Sequence, residues 1–218
     1  MARASYHHKN LPEALLAASV ALLETQGIAG FSLREAARQV GVDPAACYRH
    51  FRDRDAILTE LARRGFGELA SRMAAELAKN ASRSAERRLL VLGQSYIEFA
   101  SERPSIFRTM FGPTGREARD PRHRGAHPEG LSPYQLLETN LLEWAGTAQL
   151  EIALDDAALM LWSAVHGLAS LLVDGAVRLE PSRRDRLCAS VISDLLAGIA
   201  QSSRSSKPVA RARGRSKR

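Results

Sequence analysis

Between Ser32 and Phe51 the chain reads SLREAARQVGVDPAACYRHF, and this segment constrains the fold more than any other. Ser32 is placed to N-cap a helix, and Glu35, three residues on, is placed to complete a capping box around the apolar series Leu33, Ala36, Ala37 and Val40. Gly41 follows as a left-handed C-terminal residue, and Val42 fills the angle between helices. Asp43 and Pro44 then supply a cap and a first position for a second helix. Small Ala37 lets the two helices approach closely. Such a helix, glycine turn and helix lays its second helix in the DNA major groove while the first crosses the backbone.

A preceding helix belongs to the same unit. Asn10 is placed to cap it, Pro12 and Glu13 fall in its first turn, and Leu15, Leu16, Ala18, Val20, Leu22 and Leu23 form its apolar side before Gly27 ends it. These three helices make an expected DNA-binding head over residues 1–57.

The run from Phe31 to Leu58, with F-S-L-R-E-A-A, G-V and Y-R-H-F-R-D-R-D-A-I-L in order, resembles the TetR/AcrR family of bacterial transcriptional regulators. The resemblance implies an all-α homodimer whose C-terminal helices bind a small effector and shift two heads out of register with DNA. It also implies roles for particular residues. Arg34 matches a position that often contacts bases, Arg49 is the second candidate, and Tyr48, His50 and Arg54 match positions that hold the phosphate backbone. Ser32, Pro44, Ala45 and Ala46 complete the expected DNA-contacting set. The last three carry no side-chain donor, so direct readout there is limited to apolar contact such as alanine against a thymine methyl. Cys47 stands where the family usually has Leu and Asp43 where Ser or Thr is common, yet each keeps its physical role, one apolar and buried, one a cap. Farther on, Trp162-Ser163-Ala164-Val165-His166-Gly167 is similar to the Trp-x-x-x-His-Gly element of one C-terminal subgroup.

Charge needs locating before it is interpreted. The formal net charge is +7, but residues 202–218 hold seven Lys and Arg and no acid, which leaves 24 of each sign in the rest. A Ser, Arg, Lys, Gly and Pro tail cannot bury apolar surface, so 202–218 is expected to be disordered. It is either a solvated tail or a source of salt-sensitive affinity for phosphates. No apolar run is read as reaching the roughly 18 to 20 residues of a membrane span, and the N-terminus shows no signal-peptide core. A cytoplasmic protein without a membrane partner is expected. Cys47 and Cys188 lack metal-ligand spacing and are read as two reduced thiols, with a redox switch as the minor alternative.

The remaining chain is read as a larger helical domain over 58–201 for effector binding and dimerisation. A long helix runs from about Asp53 to Asn80, followed by helices over Arg88–Ser101, from Pro104 to Phe111, and over Leu131–Ala148, Ala157–Val173 and Leu187–Ile199. Thr114–Gly130 is polar and reads as a mobile surface loop whose His123 and His127 are solvated rather than metal ligands. Within Ala157–Val173 the only polar interruptions are Ser163, His166 and Ser170, so this helix needs cover on nearly every side. A second subunit supplies it. Ala164, Gly167, Leu168 and Leu171, with Val191, Leu195 and Ile199, are the expected interface, built as a four-helix contact of more than about 2,000 Å² in a C2 dimer. Two heads about 34 to 36 Å apart then read the half-sites of a palindrome.

Phe99, Phe107, Met110, Phe111, Trp144 and Trp162 supply bulky apolar surface for an effector, and His166 adds an ionisable group that either bonds a ligand or is a satisfied core histidine. No cofactor fingerprint, phosphate loop, nucleophile elbow or paired metal ligand is present, which argues against an enzyme. The leading expectation is a sequence-specific regulator, a repressor released from a palindromic operator by a small, mostly apolar effector. The alternative is an architectural DNA-coating protein driven by the basic tail, which the neutral body disfavours.

Overall fold

In a computed structural model of the chain, residues 10–115, 130–148 and 152–205 are described. His123, His127 and residues 206–218 of the basic tail lie outside them. Among the described residues all regular structure is helical, as expected for an all-α chain.

Helix α1 (Leu11–Gly30) buries Leu15, Leu16, Ser19, Leu22 and Leu23, the i, i+1, i+4, i+7, i+8 set that places one stripe inward. Asn10 makes no side-chain cap there; Pro12 and Glu13 occupy the first turn instead. Gly27, at φ 69° and ψ 178°, interrupts the helix, and one further turn follows it. Helices α2 (Leu33–Val40) and α3 (Pro44–Cys47) come next, and α4 (Arg54–Lys79) leaves the head as a rod of about 39 Å at 1.5 Å per residue. Asp53 caps α4 by accepting from the Ala56 N–H at 2.8 Å.

The body comprises α5 (Ala85–Glu102), α6 (Pro104–Phe111), a 3₁₀ turn (Pro113–Gly115), α7 (Pro133–Ala148), α8 (Leu154–Val173) and α9 (Pro181–Ser205). Three helices start earlier than periodicity predicts because caps and dipoles, not apolar residues, set their ends. Ser84 caps α5 by accepting from the Arg87 N–H at 3.2 Å. Asp155 and Asp156 occupy the favourable first turn of α8, and Pro181 opens α9. Helix α9 also continues to Ser205, so residues 202–205, expected to be disordered, are helical.

Head and body share one buried cluster that runs from Leu15, Ala37 and Cys47 through Leu58 and Leu61 to Phe107, Leu161 and Ile199. The expected boundary at 57/58 therefore falls inside the unbroken helix α4. Helix α6 is the wedge of this junction. A Cβ on Gly65 of α4 would lie 2.7 Å from Ile106 and from Met110 Sδ, so only glycine admits α6 so close. On its other side, Ser105 Oγ donates to the Leu23 carbonyl of α1 at 3.1 Å.

Candidate nucleic-acid interface and apolar cavity

The α2–α3 unit is fixed by contacts only a few residues apart. Ser32 Oγ accepts from the Glu35 N–H at 3.2 Å, but the Glu35 carboxylate turns outward to Arg38, at 2.9 Å from its Nε. Half of the expected capping box is therefore present, and the arginine holds the Glu35 carboxyl below its ordinary pKa. Gly41 lies in the left-handed region at φ 77°, where it lets the Val42 N–H reach back to the Ala37 carbonyl at 3.1 Å. Asp43 Oδ1 then accepts from the Ala45 N–H at 2.7 Å. Helix α3 is a single turn. The chain leaves it through the turn at 48–50, with the His50 N–H on the Cys47 carbonyl at 2.9 Å, because Asp53 must already be extended to cap α4.

This geometry exposes Ser32, Arg34, Pro44, Ala45, Tyr48, Arg49 and His50 and leaves Ala46 half-buried, while Cys47 anchors α3 in the core. The arginines divide into two groups. Arg38 meets Glu35, Arg52 meets Asp53 at 2.8 Å, and Arg54 meets Asp55 at 3.4 Å. Arg34 and Arg49 have no ion pair among the described residues, so their charge faces solvent without a neutralising carboxylate. Arg54, expected to contact phosphate, also has partners inside the head. Its Nε donates to the Phe31 carbonyl at 3.1 Å and its Nη2 to the Ile28 carbonyl, and the guanidinium lies 5.9 Å from the Phe31 ring centroid. These carbonyls belong to the chain after the Gly27 break, where the Ile28 carbonyl also accepts from the Phe31 N–H at 3.4 Å, so Arg54 fastens α4 to the end of α1. No local pattern announces that role, since the partners lie 23 and 26 residues earlier.

In the body, Leu89, Leu92, Gly93 and Tyr96 of α5, Pro133 and Leu137 of α7, Leu161, Trp162 and Val165 of α8, Met73 of α4 and Ile192 of α9 line a narrow, partly open cavity of about 40 Å³. Of the residues expected to touch an effector, Trp162 lines it. Phe107, Phe111 and His166 form an aromatic cluster beside it. Phe111 lies 4.5 Å from the imidazole between centroids and Phe107 5.5 Å. Phe99, Met110 and Trp144 lie elsewhere in the core: Phe99 faces the Arg72 guanidinium at 5.5 Å, and Met110 packs on Gly65. Tyr96 is the residue that sequence reasoning did not single out. Its hydroxyl is 2.8 Å from His166 Nδ1, across 70 residues of chain.

The third surface is apolar. On α8, Leu159 is 57% exposed and Leu171 47%, Met160 and Gly167 are also exposed, and Ala164 and Leu168 are half-buried. On α9, Leu187 is 41% exposed, with Val191 and Leu195 half-buried. Ile199, expected at the same face, is 3% exposed and belongs to the protomer's own core. By length and composition α8 is long enough to cross a membrane, contrary to the expectation that no run reaches that length; His166 and the small residues hide the run from a simple count. Only 28% of that window is buried within the protomer.

A single-turn recognition helix in a three-helix head, joined by a shared rod to a helical body, defines an all-α helix-turn-helix protein. Residues 15–61 match the family described as bacterial regulatory proteins, tetR family, and residues 89–195 match the tetracyclin repressor-like C-terminal domain. The chain belongs to the TetR family. It is 31% identical over 90 residues to YobS of Bacillus subtilis strain 168, described as an uncharacterized HTH-type transcriptional regulator; the match spans 41% of this chain and 46% of that protein. A Rhodococcus sp. RHA1 protein of unknown function superposes with a TM-score of 0.71 at 28% identity, covering 91% of this chain and all of that one. FadR of B. subtilis, solved with stearoyl-CoA, shares the fold at a TM-score of 0.67 and 16% identity, over 86% of this chain and 98% of that one.

Proposed function

We propose that this protein is a dimeric DNA-binding transcriptional regulator of the repressor type, released from a palindromic operator by a small, mostly apolar effector. The observation that carries it is the pair Arg34 and Arg49, exposed and unneutralised on the α2–α3 face while their arginine neighbours are paired. A polyanion supplies the missing charge, and a base edge the missing acceptors. Arg34 and Arg49 read bases, Tyr48 and His50 hold phosphates, and Ser32, Pro44, Ala45 and Ala46 approach the groove. Arg54 holds the head in shape.

The uncovered faces of α8 and α9 support pairing with a second copy, since large apolar side chains in a contiguous stripe mark an interface. A C2 pair places two heads on two half-sites, which sets their spacing. For the effector, FadR's stearoyl-CoA shows what one member of the fold accommodates. The cavity here is smaller than the 300–1,000 Å³ of ordinary ligand sites, so occupancy requires its walls to part. Any movement of α6 reaches the head directly, through Gly65 of α4 and the Leu23 carbonyl of α1. The effector then acts by its differential affinity for two head spacings.

The test is a binding selection with purified protein on fragmented genomic DNA at physiological salt, followed by affinity for the best fragment and for random DNA. Enrichment of a palindrome bound at least 10³-fold more tightly than random DNA is the expected result. Equal affinity for both would overturn it.

A further inference from the structure

Six rings of the body are gathered into one place. Tyr96, Phe107, Phe111, Tyr134, Trp162 and His166 converge beside the cavity. Tyr96 and Trp162 centroids lie 6.0 Å apart, Trp162 and Tyr134 5.0 Å, and Phe111 and His166 4.5 Å. The residues that line the cavity include no charged side chain. One polar pair is set into this apolar shell: Tyr96 Oη stands 2.8 Å from His166 Nδ1, and His166 Nε2 stands 3.5 Å from Ser170 Oγ. Tyr96 itself lines the cavity.

We propose that the Tyr96–His166 pair reads an effector that is a flat, uncharged molecule carrying one hydroxyl or carbonyl group and seated beside Trp162. The inference rests on the effector-released reading above and names the chemistry of its ligand. Each element of that description follows from the site. The ligand is flat because the two aromatic residues of the lining, Tyr96 and Trp162, stand with ring centroids 6.0 Å apart beside the polar pair and favour stacked or edge-on partners. It is uncharged because a buried ion without a counter-charge costs far more than such a site returns. At the Tyr134 side, burial raises the phenol pKa and Glu138 and Asp155 raise it further, so the local field opposes an anion. It carries one polar group because the site offers one hydrogen-bonding pair, and a second group would lie unsatisfied among Leu89, Leu92, Leu161 and Ile192. Either a donor or an acceptor is served, because a phenol hydroxyl both donates and accepts.

Size decides how the ligand enters. A benzene-sized molecule needs on the order of 150 Å³, against the free 40 Å³. Of the two aromatic residues that line the cavity, Trp162 is half-buried and is the wall that yields; Tyr96, 5% exposed, is the fixed side.

The test uses the full-length chain and three probes of one shape: 1-naphthol, naphthalene and 1-naphthoate. Binding is read from the NMR signal of the Trp162 indole N–H, assigned with Trp144→Phe. The expected result is saturable binding of 1-naphthol at least tenfold tighter than of the other two. Tyr96→Phe should abolish that preference, leaving naphthalene binding unchanged. Equal affinity for 1-naphthol and naphthalene in the unsubstituted protein would overturn the inference without any variant. So would a preference that survives Tyr96→Phe, or no saturable binding of 1-naphthol. A parallel measurement of DNA affinity separates this idea from the reading beneath it. If stearoyl-CoA releases the DNA while 1-naphthol does not bind, the pair is not the reader and the effector-released regulator stands. If 1-naphthol binds at the pair and DNA affinity is unchanged, the effector reading falls.

Discussion

The α2–α3 face and the α8–α9 face are both left uncovered by the protomer, but with opposite chemistry. The first presents Arg34, Arg49 and His50 around a one-turn helix; the second presents Leu159, Met160, Leu171 and Leu187 along helices of 20 and 25 residues. Exposed cations without carboxylates are satisfied by phosphates and base edges, whereas exposed leucines are satisfied by another apolar face. What each surface lacks sets the kind of partner that would satisfy it, and one buried cluster joins the two.

The largest expected effect breaks the apolar face. Leu171→Asp should give a folded monomer, and loss of the second head should lower affinity for a two-half-site DNA by about 10²- to 10⁴-fold. Sedimentation and anisotropy check the two statements together; an unchanged dimer would remove α8 from the interface.

Next in size is the cationic face. Arg34→Ala should cost about 1–3 kcal/mol at the operator and relax base preference, as should Arg49→Ala. Tyr48→Phe should weaken all sequences alike. A uniform loss with Arg34→Ala would make it a phosphate contact instead.

Arg54 sharpens the comparison from within the head. Arg54→Ala should destabilise the fold by about 1–2 kcal/mol through loss of its two carbonyl bonds, whereas Arg34→Ala should stay within about 0.5 kcal/mol of the unsubstituted protein. Thermal unfolding of both variants decides this; equal melting temperatures would return Arg54 to the DNA face.

The smallest effect is acid sensitivity at the start of α4. The Ala56 N–H and the Arg52 guanidinium hold the Asp53 carboxyl below its ordinary range. Because the folded value is the lower one, its contribution is complete above the ordinary carboxylate range and fades as pH falls through the depressed value. Asp53→Asn keeps a capping oxygen without the charge, so the melting-temperature gap to the unsubstituted protein should close on going from pH 7 to pH 3.

The head was legible in the sequence because its determinants are local: Ser32, Gly41 and Asp43 each act within a few residues, and all three sit where spacing places them. The intramolecular contacts of Arg54 were not legible for the converse reason, since its carbonyl partners lie 23 and 26 residues back in the chain. Periodicity found the body helices and showed that α8 is apolar nearly all round. It did not say which neighbour covers each side, so Ile199 was assigned outward though it packs inward. Nor did it show that Tyr96 and His166 meet, because they lie 70 residues apart on α5 and α8 and only the packing of the two helices brings them together.

Sedimentation velocity of the protein alone, and then with its best-bound duplex, tests both faces in one experiment. The account predicts a dimer in the absence of DNA at micromolar concentration and two protomers on a palindromic duplex. A monomer that stays monomeric and binds as a single protomer would contradict it.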